Sequence, residues 1–336
     1  MQSTSYTDCT WCNRYRARHV GDAHKEVPTM RVFVTGASGH IASAVIPELI
    51  SAGHTVVGLA RSDRSAAAVA SLGADVRRGE LDDLTGLRAA AREADGVIHL
   101  AFKNEEMRSG DLAGAAASDL RAIEALGAAL EDSGKPFVST GATLGLSMAG
   151  FRGQLTEHEG WPGGPRLDAE NAVLALAAHG VRSSVVRLPP TVHSLGRCGF
   201  VAALIAIARA TGVAGYLGDG SNRWPAADTR DVGHLYRLAL EGAPPGSRLH
   251  AVAEEGVALR DTAAAIGRRL GLPAAPVAAE DATRHFGFLS GFVGLDNPTS
   301  SQLTRDLLDW TPTRPGLISD LDQGRYFAAV NRPDPS

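Results

Sequence analysis

The chain is 336 residues long, 44% hydrophobic and 21% charged, with a net charge of −4, so it has enough apolar residues for a substantial core. Its arginines are scattered among acids, which gives no reason to expect nucleic acid or an anionic membrane as partner, and no apolar run reaches the length of a membrane span. Three cysteines, Cys9, Cys12 and Cys198, fit a reducing cytoplasm better than a disulfide framework.

Residues 1–29 are polar and lack hydrophobic periodicity, and are expected to be a disordered N-terminal extension. They contain Cys9-Thr-Trp-Cys12 with His19 and His24 downstream, a spacing that matches no common zinc module, so no metal is expected. From 30 to 190 short apolar runs alternate with longer helical stretches. Strands are predicted at 31–34, 55–60, 75–77, 96–100, 136–140 and 182–188, and helices near 40–52, 64–72, 84–93, 111–133 and 167–179. This alternation implies right-handed crossovers and a parallel sheet: an α/β, doubly wound Rossmann domain.

After residue 190 the rhythm changes. An apolar helix at 200–211 precedes a Gly, Asp and Pro loop at 218–225, and Asp231 is positioned to cap a helix running to 241. A strand at 249–252 and helices at 260–270 and 301–308 complete a smaller part, 191–330. It is expected to bind substrate over the carboxyl ends of the strands.

The stretch that organises the chain is Val32-Phe33-Val34-Thr35-Gly36-Ala37-Ser38-Gly39-His40-Ile41-Ala42. Strand, glycine turn and helix follow in the order that a dinucleotide fingerprint requires. Gly36 permits the tight turn, Gly39 lets the backbone approach a pyrophosphate, and Ala42 is the small residue at the helix–strand contact. Where an acid would grip the ribose of NAD, at the end of the second strand, the sequence has Ala60, then Arg61 and Ser62. A guanidinium beside a hydroxyl suits a 2′-phosphate, so NADP is favoured over NAD.

With Glu80-Leu81-Asp82-Asp83, Val97-Ile-His-Leu-Ala101-Phe102, Phe137-Val-Ser-Thr140-Gly141, Val186-Arg187-Leu-Pro-Pro-Thr-Val-His193, Asp231-Val232 and Leu308-Asp-Trp310-Thr-Pro312, the chain resembles the extended or atypical short-chain dehydrogenase/reductase superfamily. It lies close to the NAD-dependent epimerase/dehydratase group, and the likeness covers 31–327. The resemblance implies pyrophosphate contacts from Gly36, Ser38, Gly39, His40 and Ile41. It places Leu81 and Asp82 by the adenine, and Ala101, Phe102 and Lys103 beside the ribose and nicotinamide. Pro189, Pro190 and Val192 would lie near the nicotinamide ring. A small-molecule substrate and a monomer, or a homodimer through the helices near 111–133 and 167–179, follow from the same likeness.

The departure from that pattern carries more information than the match. The superfamily's hydride-transferring members rely on a tyrosine and a lysine four residues later, but this chain has no tyrosine from 16 to 215. Arg166 falls at the tyrosine position and Glu170 at the lysine position. Thr140 is placed to hydrogen-bond a substrate carbonyl, with Ser139 and Thr143 as neighbouring registers. Arg166 stays charged and is no proton donor, but it can stabilise an oxyanion. Glu170 would need burial to act as an acid, the alternative being a surface Arg166–Glu170 pair at i,i+4 spacing. His193 is a rival acid/base with a structural alternative, and Glu157 and His158 are weaker ones. Three readings follow: an NADP-dependent oxidoreductase using a non-tyrosine donor or water, an NADP-binding sensor, and a non-redox isomerase or lyase.

Overall fold

The computed structural model describes residues 28–194 and 199–328. Nearly all of the expected extension, with Cys9, Cys12, His19 and His24, lies outside the described residues, as does Cys198. The strands are β1 (Arg31–Thr35), β2 (Thr55–Ala60), β3 (Asp75–Arg78), β4 (Gly96–His99), β5 (Pro136–Ala142), β6 (Arg182–Leu188), β7 (Thr191–His193), β8 (Ala214–Leu217), β9 (Arg223–Asp228), β10 (Ser247–His250), β11 (Glu254–Ala258) and β12 (Ala274–Val277). The helices that frame the site are α1 (Ala42–Ser51), α2 (Asp63–Ser71), α3 (Leu84–Glu93), α4 (Leu112–Leu130), α5 (Leu167–Ala175), α6 (Gly199–Thr211), α7 (Thr229–Gly242), α8 (Leu259–Leu270), α9 (Gln302–Leu308) and α10 (Leu317–Asp322).

Side-chain alternation explains why the main sheet is covered on both faces. In β1, Val32 and Val34 enter a core shared with α1, α2 and α7. Phe33, pointing the other way, enters a second core with α3, α4 and α5. The same alternation separates Val138 from Phe137 in β5, and Val186 from Val185 in β6. The strands run in the order β10-β6-β5-β4-β1-β2-β3, and every pairing is parallel. The doubly wound sheet expected from sequence is thus present.

It has seven strands, one more than predicted. The seventh, β10, arises from the C-terminal part and pairs with β6 from Ser247↔Ser184 to His250↔Arg187. The short apolar run predicted at 249–252 gave no hint of this, since periodicity does not name a partner about sixty residues away. Helix α7 also returns, packing against α1 where Gly233 lies against the Ala44 backbone; a Cβ on Gly233 would sit 2.9 Å from the Ala44 carbonyl carbon.

Two local expectations are corrected. The cap of α7 is Asp228, whose carboxylate accepts the Arg230 N–H at 2.8 Å, and not Asp231. Two acids three residues apart made the start ambiguous, and Asp231 instead accepts the amides of Thr313 (3.1 Å) and Arg314 (3.0 Å). The last three residues of the predicted loop 218–225 are strand, with β9 lying between β7 and β11 in a three-stranded sheet. Trp224 anchors it, buried and donating its indole N–H to the Leu295 carbonyl at 3.2 Å. No helix among the described residues is long and apolar enough to cross a membrane.

Candidate active site

The order of the sheet reverses between β1 and β4, and the crevice at that point is where open α/β sheets bind ligands. Gly36 turns the chain there with φ +65°, and a Cβ on it would lie 2.6 Å from the Ala101 nitrogen, so no other residue fits. The Gly39 amide closes the turn on the Gly36 carbonyl at 2.9 Å. Among the described residues the amides of His40, Ile41 and Ala42 have no main-chain acceptor, and they stand at the start of the ten-residue helix α1. Exposed Ser38 and Gly39 lie beside them. A dinucleotide pyrophosphate fits this donor set. The His40 side chain is committed elsewhere. Its Nε2 lies 3.0 Å from the Thr229 hydroxyl, whose own proton goes to the His193 carbonyl, so His40 is the donor. Burial pushes the His40 pKa down.

At the end of β2, Ala60 is buried and Arg61 is exposed, with Glu105 at 3.7 Å. The Ser62 hydroxyl caps α2 by accepting the Ser65 amide at 3.2 Å. Asp63, the next residue after Ser62, is ion-paired with Arg78. On the other side of the crevice Lys103 Nζ is bound to Asp82 at 2.7 Å, and Asp82 also accepts Ser118 at 2.7 Å. The Lys103 hydrogen bond leads in holding the Asp82 carboxyl below its usual range. Leu81, Ala101, Phe102 and Val192 are half-buried, and Pro189 is buried.

Beneath Ala101 lies a buried hydrogen-bonded chain. The Ala101 amide donates to Thr35 Oγ1 (3.2 Å), and Thr35 donates to His99 Nδ1 (2.8 Å). The buried Asp119 carboxylate on the other side of the ring can only accept, so His99 Nε2 carries a hydrogen and donates to it at 3.0 Å. Thr140 Oγ1 donates to the His99 carbonyl at 2.8 Å and accepts from the Tyr236 hydroxyl at 2.7 Å. Tyr236 comes from α7 and is fully buried, which raises its phenol pKa and keeps it protonated. Toward a ligand, the Thr140 hydroxyl thus presents a lone pair and no proton.

Arg166 and Glu170 separate. Arg166 precedes α5 with φ +67°, a left-handed conformation that costs a residue with a Cβ about 1–2 kcal/mol. Its guanidinium carbon lies 4.0 Å from the Phe102 ring centroid, and Nη2 donates to the Thr140 carbonyl at 3.2 Å. Arg166 Nε is buried and has no partner. Among the described residues no carboxylate pairs with Arg166. Glu170, predicted as a surface partner or an acid, is 4% exposed. It binds Arg187 through both carboxylate oxygens, with Nε at 2.9 Å, and Arg248 Nε at 3.1 Å. The reason lies in β6: Arg187 shares a face with Val185, inside the core against α5, and a buried guanidinium needs a carboxylate. His250 completes the cluster, accepting from Arg187 Nη1 at 3.2 Å and donating through Nδ1 to the Ser300 carbonyl at 2.7 Å.

The remaining candidates lie in structural bonds. His193 is buried with Nδ1 3.1 Å from Asp320. Glu157 accepts the Thr304 amide (2.8 Å) and hydroxyl in the first turn of α9. His158 is exposed. The Thr143 hydroxyl donates to Asn297 at 2.7 Å, and Ser139 is buried on the Phe137 face of the sheet. The structure therefore gathers Thr140, Arg166, Phe102 and the glycine turn at one crevice and draws Glu170 away from them. Sequence reasoning missed Tyr236, Arg187 and Asp119. A charged residue inside the apolar run Val185-Val186-Arg187-Leu188 was the one available signal.

The NAD dependent epimerase/dehydratase family profile matches residues 32–250. The chain belongs to that family. An uncharacterised protein of Schizosaccharomyces pombe is 44% identical over 298 residues, covering 89% of this chain and 100% of its own length. The UDP-glucose 4-epimerase of Thermotoga maritima, solved with UDP-glucose, shares the fold with a TM-score of 0.70 at 18% identity, over 90% of this chain and 100% of its own. The dTDP-glucose 4,6-dehydratase DesIV of Streptomyces venezuelae, solved with NAD, does so with 0.70 at 18%, over 90% and 98%. Family membership supports NAD(P)-dependent chemistry of the oxidoreductase type on this scaffold.

Two predictions follow from the Glu170 cluster. Glu170→Gln leaves Arg187 and Arg248 without a counter-charge and is expected to destabilise the fold by about 3–5 kcal/mol in chemical denaturation. A loss of turnover without any loss of stability would contradict the structural role. The second concerns acid. Burial, then the Arg187 charge, pushes the His250 pKa down to about 3, so the folded chain binds this proton less readily than the unfolded chain does. The His250 contribution is complete above about pH 6.5 and declines as pH falls from there toward 3, by about 1.4 kcal/mol per unit for one group. Denaturation midpoints at pH 7.5 and 6.5 should lie close together and those at 5.5 and 4.5 progressively lower, with a shallower fall in His250→Gln.

Proposed function

We propose that the protein is an NADP-dependent oxidoreductase of the epimerase/dehydratase type that acts on a small carbonyl or hydroxyl compound without a tyrosine acid. The observation that carries this reading is the Arg166 guanidinium, fixed on Phe102 beside Thr140 at the carboxyl ends of β4 and β5. Bound along the glycine turn, a nicotinamide dinucleotide supplies or accepts the hydride. The amides of His40, Ile41 and Ala42 hold its pyrophosphate, and Arg61 with the start of α2 favours a 2′-phosphate. Arg166 stabilises negative charge as it grows on the substrate oxygen. It does not release a proton near neutrality, so the proton that balances hydride addition comes from water. Thr140 accepts a hydrogen bond from a substrate hydroxyl, and Tyr236 holds it in place from below.

Fluorescence titration tests the cofactor half. NADPH is expected to bind about tenfold more tightly than NADH, and Arg61→Ala to erase most of that preference. Failure of both nucleotides to bind would remove the basis of the reading. Loss of NADPH absorbance across a carbonyl panel tests the other half. Arg166→Ala should lower kcat/KM by about 100-fold or more and Thr140→Ala by less. Activity that survives both changes would show the site to be misassigned.

A further inference from the structure

We infer that the substrate is a 2-oxo acid, or the corresponding 2-hydroxy acid, whose carboxylate and adjacent oxygen are both taken by Arg166. This rests on the reading of the crevice as an oxidoreductase site and specifies what that site accepts. The first argument is charge. Arg166 is partly buried, yet among the described residues no carboxylate pairs with it. The nearby cations are already engaged: Lys103 with Asp82, and Arg187 and Arg248 with Glu170. One unpaired positive charge at the mouth of the crevice matches a monoanion, whereas a phosphate dianion would be left half neutralised.

The second argument is shape. Phe102 covers one face of the guanidinium at 4.0 Å, so its donors are offered in the plane of the group, along its edges. Nη2 gives one hydrogen to the Thr140 carbonyl and Nε is closed off from solvent, so the edge a ligand can reach is the outer one, Nη1 with the second hydrogen of Nη2. Two in-plane acceptors side by side are the complement of such a fork. A 2-oxo acid presents them, because its ketone oxygen and one carboxylate oxygen lie on the same edge of a planar unit. A fork spanning both would fix the carboxylate in the ground state and meet the charge that develops on the ketone oxygen. The third argument is placement. Arg166 is held in a left-handed backbone conformation and bonded to the end of β5, so its side chain is aimed before any ligand arrives.

Oxamate, a planar monoanion of this shape, and its neutral counterpart oxamide separate charge recognition from shape. Calorimetric titration of the full chain, with and without NADPH, should give a Kd for oxamate about 10- to 100-fold below that for oxamide. Arg166→Gln should bring the two values together. Arg166→Lys, which keeps the charge and loses the fork, should restore only part of the difference. Equal affinities in the wild-type chain, no binding of either compound, or discrimination that persists in Arg166→Gln would each overturn the inference. NADPH affinity is read in the same samples, so failure of the cofactor reading appears separately from failure of carboxylate recognition.

Discussion

The arrangement of the crevice depends on one close approach of backbone to backbone. Gly36 passes the Ala101 nitrogen at a distance that leaves no space for a side chain, and this presses the glycine turn onto the end of β4. Two features are fixed by that approach. The free amides at the start of α1 face the gap between β1 and β4, and Thr35 comes within reach of both Ala101 and His99. His99 in turn supplies the carbonyl that takes the Thr140 proton. A single steric constraint therefore runs through Ala101, Thr35 and His99 to Thr140 at the end of β5. It is insensitive to pH and salt, as a floor for a charge-bearing site should be.

Against that floor, the positions where the resemblance places the superfamily's tyrosine and lysine carry two residues with opposite fates. Both positions are one helical turn apart, and sequence spacing alone suggests that Arg166 and Glu170 bind each other. The sheet decides otherwise. Arg187 emerges from β6 on the α5 side and claims Glu170, with Arg248 from β10 as a second claimant. Arg166, left without its neighbour, stacks on Phe102 and keeps its charge at the crevice. The chemistry open to the site changes accordingly. A guanidinium of this kind holds its charge near neutrality and does not exchange a proton.

Much of the framework was legible in the sequence because it is written locally. The apolar runs of β1, β2, β4, β5 and β6, and the glycine turn between Thr35 and Ala42, each announce themselves within a dozen residues. What was illegible depends on partners far away in the chain. Tyr236 lies 96 residues from Thr140, and Asn297 lies 154 from Thr143. Arg248 lies 78 from Glu170. The cap of α7 was misread for a different reason: Asp228 and Asp231 are equally good capping residues, and only the demand of the Thr313 and Arg314 amides separates them.

The returning segment has a consequence for how the chain reaches this state. Strand β10 covers β6 and takes its place as the edge strand at Ser247–His250, and α7 brings Tyr236 under Thr140. A nascent chain released as far as β6 therefore holds six strands with an open edge. It also holds a Thr140 whose partner has yet to be synthesised. The first two-thirds of the polypeptide cannot rehearse the finished crevice during translation. Covering of β6 waits for residues beyond 240, with the slow, long-range contact formation that such topology entails. Until then the β6 edge is open to foreign strands, which makes the interval before α7 and β10 arrive the vulnerable stage of its biogenesis.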